Sequence, residues 1–369
     1  MLGIYLILIL LLSYFIYKNN NTYYRKLEYI NPETKEKINV HTLYEEFAPN
    51  DKLSFIRIFI GYLIMGIPKF LINIFLAAMQ KVQLSRHMKN LKNLTSDPEE
   101  WKLVSETISL WTRILLKING IKIIKTQLPY EEVYKKYLGD DYNFDPNEKY
   151  SLLVSNHTGF YDVIINMSLH SCGFMAKDET KNYPFVGQLA KGINCLFVKR
   201  ENKEDRAKIF TQLEERQKGF YEGTYLSPLM LFPEGTTTNG QYILKFKRGA
   251  FYALLPIKPQ IILLDKNLNY SVGIGVSSAP FNYFRSLAYF GCNVNLCELP
   301  VIKPTEYMWE HYSDLGNEKW EIYAEVTRKI MCEIGGLTPS DKTFRNNKYY
   351  ENALCKGVYV DENANLISS

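Results

Sequence analysis

His157 and Asp162, five residues apart in YSLLVSNHTGFYDVIINMSLH, are a pair whose chemistry could move a proton. An imidazole titrates near neutral pH and can take the proton of an alcohol, which otherwise attacks a thioester poorly. A carboxylate beside it orients the ring and stabilises the imidazolium. Five residues of regular helix turn through about 500°, which leaves two side chains well apart. The pair meets only if Thr158 and Gly159 make a turn before a helix begins, and Gly159 makes that turn easy. On spacing alone, an ordinary hydrogen-bonded turn histidine is the competing explanation.

Two further runs place polar chemistry after an apolar stretch. In AKGINCLFVKR a strand expected over 194–198 ends in Lys199 and Arg200, and a guanidinium fork suits phosphate. A solvated surface pair is the alternative. In LSPLMLFPEGTTTNGQ the apolar run from Leu229 to Phe232 breaks at Pro233-Glu234-Gly235. Gly235 and Thr236 offer backbone amides and a hydroxyl that could cradle a phosphate. Glu234 could bond a substrate hydroxyl or hold Arg200. An ordinary turn also accounts for Pro, Gly and Asn together.

These residues need elements to hold them. The apolar run Leu152 to Val154 fits a buried strand, and the segment after Gly159 reads as a helix, so His157 falls at a strand's carboxyl end. Open α/β sheets bind ligands there. Asp97-Pro98-Glu99-Glu100 opens a further helix whose Trp101, Val104, Ile108, Trp111 and Leu115 recur at helical spacing. The tyrosine-rich stretch from Tyr130 to Tyr150 reads as a surface excursion without chemistry.

Composition narrows the class. The chain has 369 residues, 46% hydrophobic and 22% charged, too apolar for disorder and long enough for a sizeable core. Its 44 Lys and Arg against 39 Asp and Glu leave +5, with no basic run dense enough for nucleic acid. Cys172, Cys195, Cys292, Cys297, Cys332 and Cys355 form no CxxC and no zinc site, so free thiols are expected. Residues 1–17 are uncharged apart from the terminal amine and are followed by Lys18, Arg25 and Lys26, the pattern of a transmembrane anchor whose far side is cytosolic. A cleaved signal peptide is the alternative, but the basic leader and small-residue cleavage site it needs are missing. Residues 53–80 are a second apolar segment, split by Pro68 and Lys69, that reads as a re-entrant hairpin or second membrane segment. A hairpin keeps everything after residue 80 in the cytosol; a buried core helix is the other reading. Residues 346–369 read as a tail.

In order along the chain, four blocks resemble the glycerolipid acyltransferases of the bacterial 1-acylglycerol-phosphate acyltransferase type, over roughly 100–345. They are His157 to Asp162, Phe197 with Arg200, Phe232 to Gly235, and the Leu255 to Pro259 block that contains Pro256. The resemblance implies that His157 and Asp162 are the catalytic dyad. It implies that Lys199, Arg200, Phe232, Pro233, Glu234, Gly235 and Thr236 bind the acceptor, with Asn156, Gly159 and Pro256 in support. EGTTTNG followed by FKRGAF, rather than an arginine after Thr236, is similar to the lysophosphatidylcholine and lysophosphatidylethanolamine acyltransferase subgroup, as are AKDETKNYPFVG and LPVIKPTEYMWEHY.

The fold this implies is α/β, a mixed central sheet flanked by helices, with N-terminal membrane helices. The activity it implies is transfer of an acyl group from acyl-coenzyme A to the free hydroxyl of a lysophospholipid, with no metal, no further cofactor and no covalent acyl-enzyme. A bilayer is the expected partner, and the endoplasmic reticulum membrane with a cytosolic domain the expected place. Lysophosphatidic acid or glycerol 3-phosphate is the alternative acceptor. A thioesterase or a non-catalytic membrane-tethered protein of the same fold remains open.

Overall fold

Short runs rich in Ile, Leu and Val, too short for helices and bounded by turn residues, recur between residues 121 and 298 and pair into one sheet. The computed structural model describes residues 2–23, 28–30, 37–39, 54–88, 97–183, 186–198, 203–264, 279–343, 359–360 and 366–367. The strands of the sheet are β1 (Ile121–Lys125), β2 (Leu152–Ser155), β3 (Gly173–Lys177), β4 (Leu196–Val198), β5 (Leu229–Leu231), β6 (Ile257–Leu264) and β7 (Cys292–Glu298). Their order is β1-β7-β6-β2-β5-β3-β4. β2 runs parallel to both β5 and β6, with Val154 opposite Leu231 on one side and Ser155 opposite Gln260 on the other. β7 runs antiparallel to β6, so the sheet is mixed.

β2 is buried along its whole length, the signature of a strand covered on both faces. Side chains alternate along a strand, so Leu152 and Val154 enter one core cluster and Leu153 another. The first cluster is closed by α5 (Glu131–Leu138), α8 (Lys203–Glu222), α10 (Glu306–His311) and α11 (Lys319–Gly335). The second is closed by α3 (Ile67–His87), α4 (Pro98–Ile118), α6 (Tyr161–His170) and α7 (Val186–Gly192). The result is the expected helix–sheet–helix sandwich. α4 starts where its sequence signals: the Asp97 carboxylate accepts from the Glu99 and Glu100 amides at 3.0 and 3.1 Å, with Pro98 in the first turn.

The tyrosine-rich stretch is core, not a surface excursion. Tyr134, Tyr137 and Tyr142 are buried, and each hydroxyl reaches a partner: the Pro300 carbonyl at 2.7 Å, the Glu333 carboxylate at 3.1 Å and the Val301 carbonyl at 2.7 Å. Each ring supplies apolar area while its hydroxyl finds a polar partner, so polar neighbours in sequence did not mean exposure.

The N-terminal apolar segments are helical. α1 spans Leu2–Tyr23, and α2 (Ser54–Gly61) runs through a π-helical turn, Tyr62–Gly66, into α3. The helical path does not reverse at Pro68: residues 55–87 form one continuous helix, long and apolar enough to cross a membrane. Pro68 falls in the first turn of α3, where the wider π turn accommodates its missing donor. One stripe of this helix faces protein. Tyr62 donates to the Phe284 carbonyl at 2.5 Å, Lys69 to the Tyr289 carbonyl at 2.6 Å, and Asn73 bonds Asn119 at 3.2 Å and Tyr283 at 3.0 Å. Gly61 lets the backbone approach the Ala288 carbonyl just past the end of α9 (Ala279–Leu287), where any side chain would collide. The opposite stripe, with Leu63, Ile64, Leu71, Ile72 and Phe75, is exposed and apolar. α1 adds Ile7, Leu8, Leu11 and Phe15 to the exposed apolar surface, while its Ile9 and Ile16 pack against Ile58 and Tyr62.

Candidate active site

β2 ends at Ser155 and α6 begins at Tyr161, so the five residues between them form a turn at the carboxyl ends of parallel strands. That turn brings the dyad together. His157 Nδ1 lies 2.8 Å from an oxygen of Asp162, in the first turn of α6. The same oxygen accepts from the Thr158 and Gly159 amides at 2.5 and 2.8 Å, and the Thr158 hydroxyl donates to the other at 2.9 Å. The carboxylate is thereby fixed at a helix amino end that favours negative charge. With Nδ1 tied to a carboxylate, Nε2 is the ring nitrogen left to accept a proton, and 19% of the side chain is exposed against 3% for Asp162.

The loop after β5 holds His157 from three directions. Its backbone N–H donates to Glu234 Oε1 at 2.8 Å, its carbonyl accepts from the Thr238 amide at 2.9 Å, and its ring stacks on Phe232 at 4.0 Å and 13°. Phe174 continues the stack, 6.0 Å from Phe232. Glu234 is fully buried, and its second oxygen accepts from the Leu244 amide at 2.9 Å. Burial pushes its carboxyl up to about 8, against the two amide donors that hold it down. Glu234 thus braces the dyad's backbone. Phe232 is a platform for the imidazole, and Pro233 is buried beside it.

Gly235, by contrast, is exposed, with φ of +72°, a conformation that suits glycine. The Lys247 ammonium fills the space that a Gly235 side chain would need, and the Lys247 amide donates to the Pro233 carbonyl at 2.9 Å. Thr236 is half-buried in the same turn. Sequence reasoning assigned no role to Lys247; FKRGAF carried the signal, an exposed cation in a segment anchored by two buried phenylalanines, Phe246 and Phe251, that stack on each other. Leu244 and Phe174 were also missed, because one acts through its backbone and the other as an aromatic neighbour.

Asn156 supports the turn: its side-chain amide brackets Ile262, accepting from the amide at 2.7 Å and donating to the carbonyl at 2.9 Å, which locks β2 to β6. Pro256 does not join the site. Its carbonyl accepts from Ser151, before β2 begins, so it lies at the other end of that strand from His157. Lys199 and Arg200 lie outside the described residues; β4, which precedes them, is parallel to β3 and ends on the same side of the sheet as β2. The thiols of Cys172, Cys195 and Cys332 are raised by burial, the latter two to about 11 and about 12, which suits core packing rather than nucleophilic attack.

Residues 139–263 match the family described as acyltransferase. A lysophospholipid acyltransferase of Arabidopsis thaliana is 32% identical over 208 residues, covering 56% of this chain and 50% of that one. Lysophosphatidylcholine acyltransferase 1 of Homo sapiens is 27% identical over 203 residues, covering 54% and 36%. A lyso-ornithine lipid O-acyltransferase of Rhodobacter capsulatus is 28% identical over 146 residues, covering 39% and 50%. The chain therefore spans half or less of these relatives' length. The crystal structure of the 1-acyl-sn-glycerophosphate acyltransferase of Thermotoga maritima aligns with 71% of this chain and 94% of that one, at 17% identity and a TM-score of 0.43. The dyad, its aromatic platform and the buried glutamate all fall within 139–263, the stretch that matches the acyltransferase family.

Proposed function

We propose that this chain is an O-acyltransferase that moves an acyl group from acyl-coenzyme A to the free hydroxyl of a lysophospholipid, with lysophosphatidylcholine or lysophosphatidylethanolamine as acceptor. The observation that carries the reading is the 2.8 Å contact between His157 Nδ1 and Asp162 in a partly exposed turn. It leaves Nε2 as the base. The acceptor's O–H proton passes to Nε2, its oxygen attacks the thioester carbonyl carbon, and a tetrahedral intermediate forms. When the C–S bond breaks, the imidazolium returns the proton to the departing sulfur, leaving ester and free thiol. Neither a metal nor an acyl-enzyme is needed. Lys247, with Lys199 and Arg200, supplies positive charge for the acceptor's phosphodiester, and the amides and hydroxyls of 235–237 add hydrogen bonds. The exposed stripes of α1 and α2–α3 hold the protein at a bilayer, on the cytosolic side of the endoplasmic reticulum membrane, where acyl-coenzyme A and lysolipid meet.

The test is transfer of labelled oleoyl-coenzyme A to lysophosphatidylcholine, lysophosphatidylethanolamine and lysophosphatidic acid, with wild type beside His157→Ala. Choline or ethanolamine lysolipid should be preferred, and the variant should lose about 10²- to 10⁴-fold in rate. Preference for lysophosphatidic acid would reassign the acceptor, and equal inactivity of both proteins would remove the catalytic reading.

A further inference from the structure

The dyad is braced by Glu234, and the residues that brace Glu234 are themselves held by a segment outside the matched stretch 139–263. Its Oε2 depends on the Leu244 amide, so the position of residues 243–244 sets where the carboxylate sits. Those residues hang on the C-terminal part of the chain. Tyr242 and Ile243 pair in parallel with Thr338 and Pro339, and the Ser340 amide donates to the Ile243 carbonyl at 2.9 Å. Arg328, on α11 and nearly fully buried, places one guanidinium nitrogen, Nη1, 3.2 Å from both the Ile243 and the Ser340 carbonyls. Its other two nitrogens form a fork on the Glu325 carboxylate, at 2.9 Å from Nε and 2.5 Å from Nη2. The Glu325 grip fixes the guanidinium plane, and that plane fixes the two carbonyls.

We propose that Arg328 is a positioning residue for the catalytic dyad, acting through Ile243, Leu244 and Glu234 on the backbone of His157. The path is three hydrogen bonds joined through the 243–244 peptide and the Glu234 carboxylate: Arg328 to the Ile243 carbonyl, the adjoining Leu244 amide to Glu234 Oε2, and Glu234 Oε1 to the His157 amide. Arg328 touches no substrate. Its charge also acts on Glu234 directly, favouring the carboxylate over the neutral acid. An apolar residue of the same volume could fill the space and keep α11 packed, yet it would release the 243–244 backbone. Glu234 would then follow Leu244, and the His157 turn would lose its aim at Asp162. A base displaced by a fraction of an ångström loses rate while the surfaces that bind substrate stay in place.

The inference rests on the acyltransferase reading for its kinetic arm and not for its spectroscopic one. Full-length wild type, Arg328→Met, Arg328→Lys, Glu234→Gln, the Arg328→Met/Glu234→Gln double variant and Ile330→Val would be compared in lipid nanodiscs. The His157 ring would be followed by histidine-selective NMR and assigned by loss of its signal in His157→Gln. In Arg328→Met the His157 Nδ1–H resonance should move upfield and broaden, because the loosened imidazole keeps a weaker hydrogen bond to Asp162. kcat for acyl transfer should fall about ten- to a hundredfold with KM for either substrate within about twofold. Arg328→Lys should fall between, and the double variant should lose less than the product of the single losses. Ile330→Val, on the same helix, should keep both kcat and the His157 resonance. An unmoved His157 Nδ1–H resonance in Arg328→Met and Arg328→Lys would overturn the inference, as would multiplicative losses in the double variant, or a kcat loss that Ile330→Val reproduces at an equal loss of Tm. If Arg328→Met fails to fold, Arg328→Lys decides by the same readouts. Absence of transfer in wild type would refute the proposed function, and the NMR comparison would still settle the role of Arg328.

Discussion

A carboxyl with no exposed surface, bonded to two amides and raised to about 8, gives Glu234 a measurable signature. The folded protein holds this proton more tightly than the unfolded chain does, whose carboxyl titrates near 4.5. The stability it contributes is therefore complete below about 4.5 and lost as pH rises through about 8. Thermal unfolding followed across that window should show a decline that Glu234→Gln flattens, at the cost of one amide bond, since the new NH₂ must face an N–H donor. Gly235 makes a second residue-scale prediction. Alanine there meets both a left-handed φ and the Lys247 ammonium. About 1–2 kcal/mol of stability should go to the backbone alone. Displacement of the cation should raise KM for the acceptor more than KM for the acyl donor in steady-state assays. The sequence marked His157, Asp162 and the glutamate turn by type and spacing, and the structure joins them. What it concealed was the direction in which Glu234 points: its carboxylate could have met a substrate or Arg200, and only the long-range pairing with residues 157 and 244 shows it turned inward.

At the scale of elements, the strand–turn–helix carrying the dyad was legible because an apolar run, a Gly and a helical pattern follow one another within local reach. The helix over 55–87 was not, since Pro68 and Lys69 are costly in an isolated apolar helix and suggested a break. A π-helical turn absorbs the proline, and the Tyr289 carbonyl, far away in sequence, takes the lysine. This two-sided helix makes a separable prediction. Leu71→Glu with Phe75→Glu, on the exposed stripe, should release the protein from phosphatidylcholine vesicles in flotation while leaving Tm unchanged within the usual range for surface substitutions, about 0.5 kcal/mol. Replacement of Asn73 by leucine, on the protein-facing stripe, should do the reverse: lower Tm and keep vesicle binding.

Across the whole molecule, the stretch 139–263 is not a self-sufficient unit. β1, β7 and α11 complete its sheet and its core, and α11 alone buries Tyr323, Val326, Ile330 and Met331 against β2 and β6 partners. A chain ending at residue 318 should fail to give a soluble, cooperatively melting domain even in detergent, and Ile330→Ala in the full chain should cost about 2–5 kcal/mol by denaturant unfolding. The exposed apolar stripes of α1 and α2–α3 carry a consequence of another kind. A protein held in the plane of a bilayer meets its lipid acceptor as a two-dimensional solute. Its velocity should then follow the mole fraction of lysolipid in the surface and not the amount per volume of buffer: adding inert phospholipid at constant total lysolipid slows turnover, and adding more vesicles of the same composition does not.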